Sequence, residues 1–160
     1  MKRKLILFFA FVAGFVSGVA ISVFLFSKVM EDHVAARSRF FDECRLYQYS
    51  TNAFSAYLNQ PPQVGIFALQ FHLSELDDRA KRGRKTMVFM DHQDIDWMRA
   101  IAHVRLANLY AKIGETNAFS VHMDAASRVL SDMRLRVRGI ATRNDLVRHV
   151  EEADRKGSFW

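Results

Sequence analysis

The chain has 160 residues, of which 50% are hydrophobic and 25% are charged, and its formal net charge is +6. Residues 28–160 are numerous enough for one compact domain with its own core, and a second domain is not expected. The single cysteine, Cys44, excludes an intramolecular disulfide. Three of the basic residues, Lys2, Arg3 and Lys4, lie at the N-terminus. The rest of the chain has only a mild excess of positive charge, which does not predict a nucleic-acid partner.

The first predicted element is a membrane-spanning helix. The run from Leu5 to Ser27 contains 23 residues and no charge. As a helix it would extend roughly 34 Å, which is enough to cross a hydrocarbon core of about 30 Å. The alternative is a cleaved signal peptide, but such peptides have shorter apolar runs that end in small residues at the cleavage site. Here the best cleavage site, Gly18-Val19-Ala20, lies inside the apolar run, so a permanent signal anchor is favoured. The residues assigned to this anchor include Leu5, Gly14, Gly18 and Phe26.

Orientation follows from the flanking charges, because Lys and Arg are enriched on the cytoplasmic side. The tail of residues 1–4 is more densely basic than the segment after Lys28. We therefore expect a cytoplasmic N-terminus and an extracytoplasmic domain, in the inner membrane if the organism is a bacterium. A cytoplasmic domain is the alternative.

A ridge of small residues follows one side of the predicted anchor. Its members are spaced four apart and include a GxxxG pair: Ala10, Gly14, Gly18 and Ser22. Small residues allow two membrane helices to approach closely, so the ridge suggests a homodimer. Small residues are also common in membrane helices that do not pair, and this interpretation stays open.

After the anchor, residues 29–49 predict a juxtamembrane helix with one apolar side that would bury Cys44. Ser50, Thr51 and Asn52 are good N-cap residues and predict the start of a helical domain at residues 50–156, with a short tail at 157–160. That apolar side comprises Met30, Val34, Phe41, Cys44 and Tyr47.

The predicted domain is all-α, with about five helices. Pro61 and Pro62 end one helix, and apolar residues at steps of three and four predict the next, from Ile66 to Ala80. A long helix starts near Asp94, and another follows a cap at Thr116 or Asn117. Thr142 and Asp145 resemble a capping box at the start of the last helix. The expected left-handed C-caps are Gly83, Gly114, Gly139 and Gly157.

Residues 97–130 resemble a single tetratricopeptide repeat, a 34-residue unit of two antiparallel helices. The residues that carry the resemblance are Leu106, Ala107, Tyr110, Gly114 and Ala126. Phe119 departs from the pattern, which has a small residue at this place. The resemblance implies a helical scaffold that binds a peptide or protein in a groove across helices 94–112 and 117–133. A plain helical bundle without a groove is the alternative.

The sequence contains no recognised catalytic motif, so it predicts neither an enzyme nor a cofactor. The most ligand-like cluster is Asp91, His92, Asp94 and Asp96. Acidic residues also favour helix N-termini, and this interpretation outweighs a metal site. His103 and His122 are similarly expected to be packed or surface histidines.

A basic patch is predicted at Arg79, Lys81, Arg82, Arg84 and Lys85. These residues could clamp an anionic membrane surface or form an ordinary solvated face. The sequence thus favours a single-pass, membrane-anchored helical adaptor whose partners are the bilayer and an unknown protein. An enzyme with an unusual site and a membrane clamp are the alternatives.

Overall fold

The protein is a chain of helices. The computed structural model describes residues 2–82, 89–133, 140 and 142–158, without the side chains of residues 2–13, 15 and 16. This part of the chain contains five helices and no strand, which confirms the all-α prediction. They are α1 (Lys2–Asn59), α2 (Pro62–Arg82), α3 (His92–Lys112), α4 (Thr116–Asp132) and α5 (Arg143–Arg155).

The chain divides into two compact units, Met1–Arg39 and Phe40–Trp160. In the first unit the described side chains of residues 17–34 are exposed, and Phe26, an expected anchor residue, is 68% exposed. Within the described residues, no helix combines the length and the apolarity needed to span a bilayer. The predicted anchor includes Leu5 and Ala10, whose side chains lie outside the described residues.

In the second unit α1 does not restart at Ser50, as predicted, but continues to Asn59. Ser50 Oγ donates a hydrogen bond to the carbonyl oxygen of Leu46, and Thr51 Oγ1 donates one to that of Tyr47, both at 3.0 Å. Such bonds within a helix are the alternative use of the hydroxyl groups that otherwise cap helix starts. The N-cap prediction was therefore wrong.

The buried side of this part of α1 also differs from the predicted one. Cys44 is exposed, and so are Phe41 and Tyr47. The side that packs inward comprises Glu43, Leu46, Ser50, Ala53, Phe54 and Tyr57. Glu43 can be buried because its Oε2 accepts a hydrogen bond of 2.9 Å from the backbone N–H of Phe89.

A tight turn connects α1 to α2. Pro62 is the first residue of α2, where the absence of a backbone N–H costs nothing. One turn later, Gly65 allows α1 and α2 to approach closely. A Cβ atom at Gly65 would lie 2.9 Å from Leu109 Cδ1 and 3.3 Å from Tyr57 Cα. Gly65 is thus required by packing, whereas the sequence did not assign it a role.

Capping residues set the ends of the other helices. Gly114 (φ 81°) ends the α3 segment and Gly157 (φ 63°) follows α5, both in the left-handed conformation that was predicted. Thr142 and Asp145 form the predicted capping box. Glu115, and not Thr116 or Asn117, is the N-cap of α4, and it makes no side-chain cap hydrogen bond. Gly83 and Gly139 lie outside the described residues, as do Phe159 and Trp160 of the predicted tail.

Helix α3 is the centre of the second unit. It contributes to all three clusters of buried apolar residues, one with α4 and α5, one with α1 and α2, and a smaller one with Leu46 and Leu76. Its residues Ala100, Val104, Leu106 and Ala107 are fully buried. Side chains on several sides of α3 are therefore used for packing, and few of them reach solvent.

Candidate interaction surface

The residues that resemble a tetratricopeptide repeat are brought together in the α3–α4 hairpin. Leu106, Ala107 and Ala126 are fully buried, and the small side chains allow close packing of the two helices. Gly114 makes the turn. Tyr110 is half-buried, its ring stacks on His122 at 5.4 Å between centroids, and its hydroxyl accepts a 2.9 Å hydrogen bond from Gln70 Nε2. The family resemblance itself stays a prediction.

An exposed apolar stripe, which the sequence analysis did not identify, lies on α2. Val64, Phe67 and Phe71 follow one another at steps of three and four, and all three are exposed, with Phe67 at 72%. Such a stripe lies on one face of a helix. Aromatic residues on a surface are a frequent feature of protein interfaces.

A charged cleft is formed by α1 and α2 in the second unit. Its volume is about 300 Å³, and carboxylates and guanidinium groups both line it. Arg79 is 8% exposed and lies 3.5 Å from Asp42 across the two helices. The lining residues are Asp42, Arg45, Leu46, Tyr49, Glu75, Asp78, Arg79 and Arg82.

Tyr49 connects the apolar stripe to the charged cleft. Its ring meets Phe71 edge to face at 5.1 Å between centroids, and its hydroxyl accepts a 3.3 Å hydrogen bond from Arg45 Nε. Because Tyr49 also lines the cleft, the two features form one surface. We call it the α1–α2 surface: Val64, Phe67 and Phe71 with the eight cleft residues.

The predicted basic patch is partly neutralised by acidic neighbours. Arg79 pairs with Asp42, and both Lys81 and Arg82 lie within 4.0 Å of Asp78. Arg84 and Lys85 lie outside the described residues. Ion pairs with carboxylates lower the local positive potential that would attract an anionic membrane.

The acidic cluster at the start of α3 caps the helix. Asp91 accepts a 2.8 Å hydrogen bond from the N–H of Asp94, and Asp94 accepts one of 3.0 Å from the N–H of Asp91. Asp96 binds Arg99 at 2.9 Å. The described residues contain no group of three or more metal-ligating side chains. These contacts agree with the helix-terminus interpretation of the cluster.

A polar centre lies in the core between α1, α2 and α3. Ser50 Oγ lies 3.0 Å from His72 Nε2, and because the hydroxyl donates its only proton to the carbonyl of Leu46, it accepts from the histidine N–H and the pair is not a nucleophile with its base. Burial lowers the pKa of His72 to about 4, and the charge of Arg105 adds to this effect. The adjoining cavity holds about 10 Å³, room for about one water molecule. Since Ser50 is fully buried, no substrate can reach this pair, and it serves packing.

The sequence of α2 contains a pattern that could have predicted the α1–α2 surface. Buried apolar residues include Ile66, Leu69 and Leu73, while Val64, Phe67 and Phe71 form a second apolar series between them. A helix of one domain needs only one apolar stripe for the core, so a second stripe indicates another contact. No protein-family model, no curated protein and no solved structure matches this chain.

Proposed function

We propose that the protein is a single-pass, membrane-anchored adaptor that binds a segment of a partner protein on the α1–α2 surface. The exposed stripe of Val64, Phe67 and Phe71 beside the charged cleft carries the proposal. Aromatic and arginine side chains dominate the binding energy of many protein interfaces. The stripe would supply the apolar anchor, and the cleft would select the charges of the partner.

The charges of the cleft favour a protein segment over a polyanion. Its lining contains Arg45, Arg79 and Arg82, but also the carboxylates of Asp42, Glu75 and Asp78. Nucleic acids and anionic lipid headgroups would be repelled by these carboxylates. A peptide that carries both charged and apolar side chains can match both parts of the surface.

The anchor rests on the sequence of Leu5 to Ser27, 23 residues without a charge, some of whose side chains lie outside the described residues in which no bilayer-spanning helix is found. We place the N-terminus in the cytoplasm and the second unit on the extracytoplasmic side, as the basic tail favours. A homodimer through Ala10, Gly14, Gly18 and Ser22 fits this arrangement and is not required by it. An alkaline carbonate wash tests the anchor: the protein should stay in the membrane pellet, and full release would contradict it.

Site-specific photocrosslinking tests the surface. A photoreactive phenylalanine analogue at Phe67, in the full chain in its native membrane, should form one discrete adduct with a partner protein. The same analogue at Val121, an exposed residue on α4, is the matched control and also probes the groove that was expected across helices 94–112 and 117–133.

A substitution in the cleft tests whether the charged residues take part in binding the crosslinked partner. Glu75→Lys should remove the adduct at Phe67, because it reverses a charge of the cleft without touching the stripe. An adduct at Val121 alone would move the site to the α3–α4 hairpin. Crosslinking at Phe67 to lipid alone, insensitive to Glu75→Lys, would contradict a protein partner.

A further inference from the structure

Three close approaches within the second unit show how α1 and α2 are aligned. Each joins a residue of α1 to a residue of α2, in order from the tight turn to the charged cleft: Ala56 with Gly65, Tyr49 with Phe71, and Asp42 with Arg79. The residue numbers fall along α1 as they rise along α2, so the two helices are antiparallel. At each level of the α1–α2 surface, a residue of α1 therefore lies beside an identifiable residue of α2.

One of these levels holds a cation and an anion that are not neutralised. Arg45 of α1 and Glu75 of α2 both line the cleft, and they lie one helical turn beyond Tyr49 and Phe71 respectively. Among the described residues, neither Arg45 nor Glu75 lies within 4.0 Å of an opposite charge. The other charged residues of the cleft form ion pairs with each other. The cleft thus presents one extra positive and one extra negative charge side by side.

A two-fold axis along the seam between α1 and α2 would satisfy both charges. Such an axis places α1 of one copy against α2 of the other at the same level, and α2 against α1. Arg45 of each copy then meets Glu75 of the other. A two-fold axis across the helices would instead place α1 against α1 and α2 against α2, so these two charges would not meet. The surface is therefore complementary in charge to an identical surface.

The same axis also covers the exposed apolar stripe. Phe71 would meet Tyr49 of the second copy, since these two residues lie at one level. Phe67, which is 72% exposed, would lie between Tyr49 and Ala56 of the second copy. The small side chain of Ala56 leaves room for the ring. Aromatic residues packed against a partner are typical of the centre of a protein interface.

We propose that the α1–α2 surface binds a second copy of this chain in a two-fold symmetric dimer, with Arg45 of each copy paired to Glu75 of the other. This inference rests on the proposed function, because it names the partner protein that occupies the surface. Every contact occurs twice in such a dimer, so each charge pair and each aromatic contact counts double. Phe67 and Phe71 supply the apolar centre, and the charge pairs set the alignment of the two copies.

The test combines photocrosslinking at Phe67 with reversal of the two charges. The photoreactive analogue at position 67, in the full chain in its native membrane, should give an adduct of two chains, crosslinked to residues 49–56 of the second copy. Arg45→Glu and Glu75→Arg should each reduce this adduct roughly tenfold or more, because two like-charge contacts replace two ion pairs. Glu151→Arg, at an exposed position on α5, is the matched control and should leave the adduct unchanged.

Co-expression of the two charge-reversal variants, each with its own epitope tag, tests the pairing directly. Arg45→Glu leaves two acidic residues at this level, and Glu75→Arg leaves two basic ones. A chain of one variant is therefore complementary to a chain of the other. The adduct should return, and only between chains that carry different tags.

A two-chain adduct that is insensitive to the substitutions, or that co-expression does not restore, would overturn the proposal. An adduct with a different protein alone would also overturn it and would leave the proposed function standing, whereas the lack of any adduct would contradict both. Circular dichroism establishes that the variants are folded. If Glu75→Arg does not fold, Arg45→Glu decides, because Arg45 is exposed.

Discussion

Arg105 of α3 and Asp154 of α5 form a buried ion pair. Nη2 and Nε of Arg105 both donate to Oδ1 of Asp154, at 2.8 and 3.0 Å, and Arg105 is only 3% exposed. The guanidinium group also lies over the ring of Phe54, 4.2 Å from its centroid. Burial lowers the pKa of Arg105, while Asp154 acts in the opposite direction. One side chain thus joins α1, α3 and α5.

Removal of one partner of this pair should be costly. Asp154→Ala would leave the charge of Arg105 buried without its partner, and we expect a loss of about 3–5 kcal/mol in the free energy of unfolding. Denaturant unfolding in mild detergent, followed by circular dichroism, measures it. Asp124→Ala is the matched control, because Asp124 lies 4.0 Å from Arg143 at the surface and such pairs contribute at most about 1 kcal/mol. Equal losses in the two variants would contradict the structural role of the buried pair.

The close approach at Gly65 predicts a steric effect. Gly65→Ala would place a Cβ atom 2.9 Å from Leu109 Cδ1 and 3.3 Å from Tyr57 Cα, and the backbone atom cannot move away easily. We expect a loss of about 1–3 kcal/mol, although alanine is the better helix former. Chemical denaturation of Gly65→Ala, Leu109→Ala and the double variant measures the coupling. The double variant should be more stable than the sum of the single losses predicts. Strict additivity would mean that Gly65 and Leu109 are not in contact.

The buried His72 predicts a dependence of stability on pH. Its pKa is about 4 in the folded protein against 6.5 in the unfolded chain, so between these values the unfolded chain binds a proton that the folded protein does not. The contribution of the neutral His72 to the free energy of unfolding is therefore complete above pH 6.5 and is lost as the pH is lowered to 4. For this residue, which is 4% exposed, the loss is about 3 kcal/mol.

Unfolding free energies measured from pH 7.5 to 4 check this expectation. His72→Gln should flatten the slope relative to the unmodified protein, because one proton fewer is taken up on unfolding. His103 adds a slope of the same sign, so the curve of the variant should not become level. Identical slopes for His72→Gln and the unmodified protein would contradict the burial of His72 in a neutral form.

The helices that could be predicted are those in which pattern and capping agree. In α2 the apolar series that begins at Ile66 agrees with the proline pair, whose second member is the first residue of the helix, and in α5 Thr142 and Asp145 give both bonds of a capping box. Gly114 ends α3 because only glycine adopts φ 81° without strain. These signals are local in sequence, so no knowledge of the packing is needed.

The errors arise where packing overrides the local pattern. On α1 the side chosen from apolar residues is exposed, while the buried side includes Glu43 and Ser50. Both are satisfied by tertiary contacts: Glu43 accepts from the N–H of Phe89, and Ser50 meets His72 of α2. The α1–α2 surface was missed for a different reason: the series that begins at Ile66 was correctly predicted as the apolar face of α2, and the second series of Val64, Phe67 and Phe71 was not assigned a contact.

The exposed position of Cys44 gives a direct test of the side of α1 that packs inward. A thiol on the exposed side should react with a maleimide reagent in the folded protein at nearly the rate seen in denaturant. Cys44→Ser should show no labelling, and Leu46→Cys in that background places a thiol at a 3% exposed position that should react only after unfolding. Protection of Cys44 with rapid labelling at position 46 would reverse the orientation of α1. Labelling kinetics by mass spectrometry separate the two cases, because the two positions lie on opposite sides of the same helical segment.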